Sequence, residues 1–440
     1  MNIRIILLYV FLLIIPKLKG QQYITVTGEL RDSLEMSPVQ FAHIFIRDEN
    51  YGTFSNEAGK FQLNIDTGLA HETLTISCVG YKTITVKIQD IAGSNRNILY
   101  LMPHLNLLPE VTVQVNAKDT LKEYVLDAVK MLRQNYPRHK YILDGFYREL
   151  SVKDSVYTRV LEAAVSMEDN GYGPHDFDKE DLTITSTKIK VHEVRKSDDM
   201  RTYTFLGKAF EFLFGKKNNL YITLGNDFVR YIGRKSDHFL SNAMLNEYEY
   251  SLQDIFDTDL GKQFVILLSD KHLNSFFYRE VSLYINASDK AIVKIENIMR
   301  PNPNDAKGKS YAYGGDFFAK SEVSYTKYKG RYYLEYIDAW YYSAGATAVL
   351  SREGSDTPSL QFDHLTFMVN AVYNKQDELE RIRKRESVKK DIDLYEEHHE
   401  YNPEFWKNYN MILLNPLDKK AKSDLEKNTS LEDQYNKKRN

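Results

Sequence analysis

From Gln22 to about Val115, hydrophobic and polar positions alternate with a period of two in short runs. Tyr23, Thr25 and Thr27 alternate with Ile24 and Val26, and Val39, Ala42, Ile44 and Ile46 follow Pro38. A turn at Asn56–Lys60 leads into Phe61, Leu63 and Ile65. Leu74, Ile76 and Cys78 precede Gly80-Tyr81, and Ile84, Val86 and Ile88, then Ile98 to Met102, then Val111, Val113 and Val115 complete the series. Short strands recurring at roughly 8–12 residues predict a seven-stranded β-sandwich over 22–115. The period then changes. Leu121, Tyr124, Val125, Ala128, Val129 and Leu132 fall at helical spacing between a cap at Asp119 or Thr120 and the stop at Pro137.

A second domain, a helix plus an antiparallel sheet, is expected over 119–374. Strands are predicted at 142–152 and 156–165 around Lys153-Asp154-Ser155, and at 182–194, 262–269, 279–285, 291–298, 321–328, 332–342 and 362–373. Turns at Asn286–Asp289 and Lys329-Gly330 point to a curved antiparallel meander. Residues 209–214 are aromatic-rich, helix or loop, and 301–315 are loop. A charged helical segment, with Leu379, Ile382, Val388 and Ile392 as a thin apolar stripe, is expected within 375–418. The tail 419–440 has few apolar residues (Ala421, Leu425, Leu431, Tyr435) and is expected to be disordered. The fold class is therefore mainly β with a few helices.

Residues 1–20 read as a signal peptide. Arg4 precedes an apolar run from Ile5 to Ile15, Pro16 breaks it, and Gly20 supplies a small residue for cleavage. The run is too short for a spanning helix, which needs about 20 apolar residues. An uncleaved anchor is the alternative, because Lys17 and Lys19 are awkward near a cleavage site. The expectation is an exported chain, in the periplasm or at the outer-membrane periphery. A net charge of −3 gives no basic field for nucleic acid, and a single cysteine excludes a disulfide framework or a cysteine zinc cluster. The 32 Tyr and 22 Phe against 2 Trp add weight to β-sheet.

The first domain resembles the carboxypeptidase-regulatory-like β-sandwich of exported bacterial proteins, a transthyretin-like fold. The resemblance rests on Val26-x-Gly28, Pro38-Val39-x-x-Ala42-x-Ile44, Gly52-Thr53, Ser55-Asn56-x-x-Gly59-x-Phe61, Leu74-x-Ile76-x-Cys78-x-Gly80-Tyr81 and Glu110-Val111-Thr112-Val113. It implies a non-catalytic accessory module. The second region is similar to the partner domain of stand-alone exported proteins with this sandwich, through Gly145-Phe146-Tyr147-Arg148-Glu149, Leu161–Ala164, Gly261–Ile266, Gly330–Leu334 and Phe405–Tyr409. That likeness implies no activity. The hairpin 282–295 also looks like a strand pair of the periplasmic lipoprotein-carrier half-barrel, an analogy of shape alone.

Catalytic signatures are sparse. No histidine has Glu three residues on, so the carboxypeptidase zinc pair is missing, and no Gly-x-Ser-x-Gly elbow or phosphate-cradling glycine loop occurs; Gly314-Gly315 opens no helix. Glu396-Glu397-His398-His399-Glu400 reads as charged surface, since adjacent helical residues point about 100° apart. Cys78 reads as a small buried hydrophobe. Arg148, Glu149 and Glu162 lie across a predicted hairpin, where an Arg–carboxylate pair is structural or a ligand contact. Alternation places Tyr332, Leu334, Tyr336, Asp338 and Trp340 on one face and Tyr333, Glu335, Ile337 and Tyr341 on the other. Tyr336 and Trp340 then belong to a core face or to one lying under the C-terminal helix, or else to a concave aromatic surface for an apolar or glycan ligand. The candidate ligand-binding residues are Arg148, Glu149, Glu162, Tyr336 and Trp340, with no catalytic residue, metal or cofactor expected. The role expected is non-enzymatic binding or scaffolding, with an unidentified ligand or outer-membrane protein as partner and a peripheral association with that membrane. The alternatives are a hydrolase using unmotifed carboxylates within 141–374 and a small outer-membrane β-barrel.

Overall fold

The computed structural model describes residues 23–437 except 48, 50–51, 95–96, 105–116, 173–186, 202–217, 234–237, 259–260, 272–276, 303, 306–316, 318, 343–360, 375–381, 390–391, 398 and 413–417. The signal segment, the strand expected at 111–115, the aromatic stretch 209–214 and Gly314-Gly315 lie outside these residues.

Among the described residues, seven strands build the N-terminal sandwich: β1 (Tyr23–Asp32), β2 (His43–Ile46), β3 (Gly52–Phe54), β4 (Lys60–Asp66), β5 (Thr73–Ser77), β6 (Ile84–Lys87) and β7 (Ile98–Leu101). A sheet of order β4-β1-β7 packs on one of order β3-β2-β5-β6, with a one-turn helix α1 (Ile88–Ile91) at the edge. The alternating residues Val26, Leu30, Ile44, Phe61, Leu63, Leu74 and Ile76 meet between the sheets as one core. Strand β3 escapes the period-two pattern because all three of its residues are buried. Phe54 faces away from the sandwich core, into the second domain. Gly59 turns the chain into β4 with φ +72°, and a Cβ there would sit 2.3 Å from the Leu30 carbonyl oxygen.

Helix α2 (Ala117–Asn135) follows, and then an all-antiparallel sheet of ten strands. These are β8 (Tyr141–Lys153), β9 (Val156–Asp169), β10 (Lys188–Lys196), β11 (Tyr248–Thr258), β12 (Gly261–Asp270), β13 (Phe277–Asn286), β14 (Ile292–Pro301), β15 (Ala319–Tyr328), β16 (Arg331–Tyr342) and β17 (Gln361–Tyr373). The order is β10-β9-β8-β17-β16-β15-β14-β13-β12-β11. The edge strands β10 and β11 do not pair with each other, so these strands form an open sheet and not the closed barrel of the third reading. Two-residue turns at Asp154-Ser155 and Lys329-Gly330, all four residues at positive φ, match the right-handed twist of their hairpins. The unanticipated strand β11 carries a bulge between Leu252 and Asp254 that breaks its alternation.

One face of the sheet is closed by α2 and by the short helix α3 (Asn219–Leu224). Val125, Ala128, Leu220 and Leu224 pack on Leu161, Ile266, Leu283, Ile295 and Phe367. Asp227 anchors this layer, accepting from Tyr172 and Tyr325 at 2.8 Å each and from Arg230 at 2.6 Å, while Arg230 also pairs with Asp169. The opposite face carries the sandwich and the C-terminal segment. Helix α4 (Pro403–Asn408) sets Trp406 on Phe146, and Tyr409 donates to the Gly145 carbonyl at 2.8 Å. A Cβ on Gly145 would lie 2.6 Å from the Met368 carbonyl oxygen, so glycine is what lets β8 and β17 meet at their bulge.

Two expectations are corrected. In the charged segment, residues 382–389 and 392–397 form a strap with a single 3-10 turn at Lys384–Glu386 instead of a helix. Ser387 bridges Lys190 and Val388 donates to the Ile189 carbonyl, so the unpaired edge of β10 recruits this backbone. The tail is ordered as α5 (Asp418–Leu425) and α6 (Leu431–Asn436). Its few apolar residues are enough because the sheet offers them a matching strip: Leu425 and Leu431 bury against Leu150 and Val160. Leu425→Ala is expected to lower the stability of the full chain by about 2–4 kcal/mol, read by urea denaturation. A disordered tail would give no change.

Candidate functional site

The site is built where the sandwich meets the sheet. Opposite Leu334–Tyr336, the register between β15 and β16 slips at Ser324/Tyr325. The extra residue puts Glu335 and Tyr336 on the same side, toward the sandwich, where strict alternation would separate them. Tyr336 packs against Phe41 (rings 5.7 Å apart) and edge-on to Phe54. It therefore lies under the sandwich, not under the C-terminal helix. Glu335 meets His43 Nδ1 at 2.7 Å and accepts from the Ser324 hydroxyl at 2.6 Å. His43 is held in place by stacking on Phe45 and Phe54 at 4.4 and 4.7 Å. Burial pushes the Glu335 carboxyl up, but His43 and Ser324 outweigh it and hold the group below the usual range.

Beside this pair, Lys294 Nζ bridges Glu296 at 2.8 Å and Glu322 at 2.7 Å. Burial opposes the charge on Lys294, yet the two carboxylates more than compensate and raise its pKa. Glu322 is shifted up by burial, against the pull of Lys294. Next along the row, Asp338 contacts His364 Nε2 at 2.5 Å, which holds its carboxyl low despite burial. Trp340 stacks flat on the same imidazole at 4.0 Å, half-buried, with Lys320 Nζ over its ring at 5.1 Å.

A cleft of about 150 Å³ opens between the domains, walled by Phe41, His43 and Cys78 on the sandwich and by Gln263, Lys294, Glu322, Glu335 and Tyr336 on the sheet. Across the His43–Glu335 bridge lies a smaller, more apolar one of about 80 Å³. Cys78 is half-buried and packs against the sandwich core; its thiol donates to the Gln40 carbonyl, and burial pushes it up to about 12, so it stays protonated.

The five residues expected at a ligand site fall in four places. Arg148 and Glu162 are buried register partners on β8 and β9, and Arg195 on β10 is the next partner along. Glu162 accepts from Arg148 at 2.7 Å and from Arg195 at 2.5 Å, and Arg148 donates to the Ile412 carbonyl. Arg195 lies over the Trp406 ring at 4.5 Å, so this triad fastens the C-terminal segment to the sheet. Burial drives the Glu162 pKa up, but the two guanidinium groups prevail and lower it. Glu149 points to the other face, paired with the fully buried Arg159, whose guanidinium covers the Tyr395 ring. Tyr336 lines the cleft, and Trp340 sits on His364. The residues that make the cleft polar, His43, Lys294, Glu322 and Glu335, escaped sequence reasoning. The signal available was charge at inward positions of strands 292–298 and 320–324. Of the His-rich run, His399 contacts Glu397 at 3.5 Å, and His398 lies outside the described residues. No group of three His, Cys, Asp or Glu among the described residues is placed to hold a metal ion, and no helix among them is long and apolar enough to cross a membrane.

The charged cleft thus lies between a β-sandwich and an open antiparallel sheet. The chain carries a CarboxypepD_reg-like domain: residues 26–113 match that family model. A search of curated proteins finds no match. Among solved structures, a domain of an outer membrane lipoprotein-sorting protein from Vibrio parahaemolyticus is similar at 8% identity and a TM-score of 0.24, over 60% of this chain and 95% of that one. A DUF1329 family protein from Desulfovibrio piger is similar at 9% identity and a TM-score of 0.21, over 57% of this chain and 92% of that one. Lipovitellin is similar at 7% and 0.20, over 54% of this chain and 25% of its own.

Glu162→Gln is expected to cost about 3–5 kcal/mol, because two buried guanidinium groups lose their shared anion. The folded Glu162 pKa lies below its ordinary value of 4.5. Its contribution is therefore complete above that value and is lost as pH falls through the folded value. Urea midpoints measured across the acid range should fall less steeply in Glu162→Gln than in the wild type.

Proposed function

We propose that the chain is a non-catalytic exported binding protein of the periplasm or outer-membrane periphery, and that its ligand enters the cleft between the sandwich and the open sheet. The observation that carries this reading is that both domains contribute polar side chains to one concave space, with His43 and Glu335 joining them across it. Shared interdomain clefts are a preferred place for ligands. The match of residues 26–113 to the CarboxypepD_reg-like family, a resemblance that implies an accessory module, supports a binding role. Arg148, Glu149 and Glu162 then serve as internal fasteners, and Tyr336 is the residue of the expected five that faces the ligand.

A hydrolase is the second reading, favoured by one observation: Glu322 sits in the cleft with its carboxyl shifted upward. Purified residues 21–440, incubated with peptide and glycan libraries, separate the two. Binding without turnover, weakened by Tyr336→Ala, is expected. Turnover abolished by Glu322→Gln, in a variant that keeps its melting temperature, overturns the binding role.

A further inference from the structure

Gln263 on β12 lines the cleft and is more than nine-tenths buried, yet its side-chain oxygen Oε1 has no hydrogen-bond partner. Its register partner on β13 is Asn286. There, Nδ2 donates to the Tyr332 hydroxyl at 2.8 Å while Oδ1, also buried, has no partner. Buried side-chain acceptors without a donor are uncommon in folded proteins, and here two stand opposite each other. What they lack is a donor, not an acceptor.

Charge points the same way. Glu296, Glu322 and Asp338 lie directly opposite one another on β14, β15 and β16. Like charges facing each other across strands repel. Lys294 is shared between two of them and His364 meets the third. Added positive charge beside Glu322 relieves that repulsion and strengthens its ionised form. The Phe41 and Tyr336 rings, stacked on each other at 5.7 Å, form an apolar wall against which an aliphatic stem can lie. A space of about 150 Å³ suits a benzene-sized group, and a short alkylammonium is of that size.

We propose that the cleft recognises an alkylammonium group, the chemistry shared by a lysine side chain and a free diamine. This rests on the binding role above and adds its ligand class. The ammonium donates to the carboxylate end at Glu322 or to the amide end at Gln263, while its stem lies along the rings.

The test is calorimetric titration of residues 21–440 at low salt and near-neutral pH with n-butylamine, and with butyrate and 1-butanol as matched anion and neutral probes. Saturable binding of n-butylamine is expected, with the other two weaker by about tenfold or more. Gln263→Leu should weaken n-butylamine by about tenfold without lowering the melting temperature, since it removes an unpaired buried acceptor. Glu322→Gln is the second variant, expected to weaken n-butylamine while leaving 1-butanol unchanged. Cadaverine and Nα-acetyl-lysine amide, whose ε-ammonium is free, then distinguish the source: whichever binds tighter identifies a free amine or a polypeptide, and either supports the proposal. Butyrate binding as tightly as n-butylamine, no n-butylamine binding, or n-butylamine binding untouched by both variants overturns it. In those cases a library ligand that still requires Tyr336 leaves the binding role standing without the ammonium.

Discussion

Everything in the second domain depends on the pairing of its first strand with its last. Strand β8 runs antiparallel to β17 from Ile142 to Lys153, more than 200 residues apart in sequence. Without that seam the sheet is two separate pieces, a three-stranded edge of β8–β10 and a seven-stranded meander of β11–β17. With it, the charged row of β14–β16 and the buried Arg148–Glu162–Arg195 triad share one surface. Gly145 sits at the seam because the bulge of β17 brings the Met368 carbonyl where any side chain would collide. The constraint is steric, and it acts on a single position.

The seam also explains how the two domains come to face each other. The sandwich leans on β16 and β17 through Phe54 and Tyr336, and on the C-terminal segment through the paired amides of Asn64 and Asn410. The contact is mixed in character. Aromatic packing fixes position, and His43–Glu335 fixes register. The polar groups that remain line the open space between. Charged residues are rarely placed in such an interior without partners. Here each cation of the cleft has its carboxylate, and the unmatched groups are neutral amide oxygens.

Much of the fold was legible in the sequence. Period-two runs in the sandwich and in 262–373 mark most strands within a residue or two, and helical spacing at Leu121–Leu132 marks α2. Positions buried on both sides, such as Gly52–Phe54, show no alternation and stayed hidden. Bulges hid β11 and moved Glu335 to the face of Tyr336. The C-terminal tail looked disordered because composition counts apolar residues and cannot see the strip of Leu150 and Val160 that receives them. The site was less legible than the fold. Arg148 and Glu162 drew attention as a cross-strand ion pair, which they are, but the cleft is assembled from His43 and from β12–β16, and no local motif joins residues so far apart along the chain.

The amide ladder between Asn64 and Asn410 spans 346 residues. A ribosome therefore releases nearly the whole polypeptide before the sandwich has its final neighbour. Contacts so distant along the chain are slow to form, since loop closure must precede any reward from them. A separation of that order places the contact between sandwich and C-terminal segment among the slowest of the fold to close.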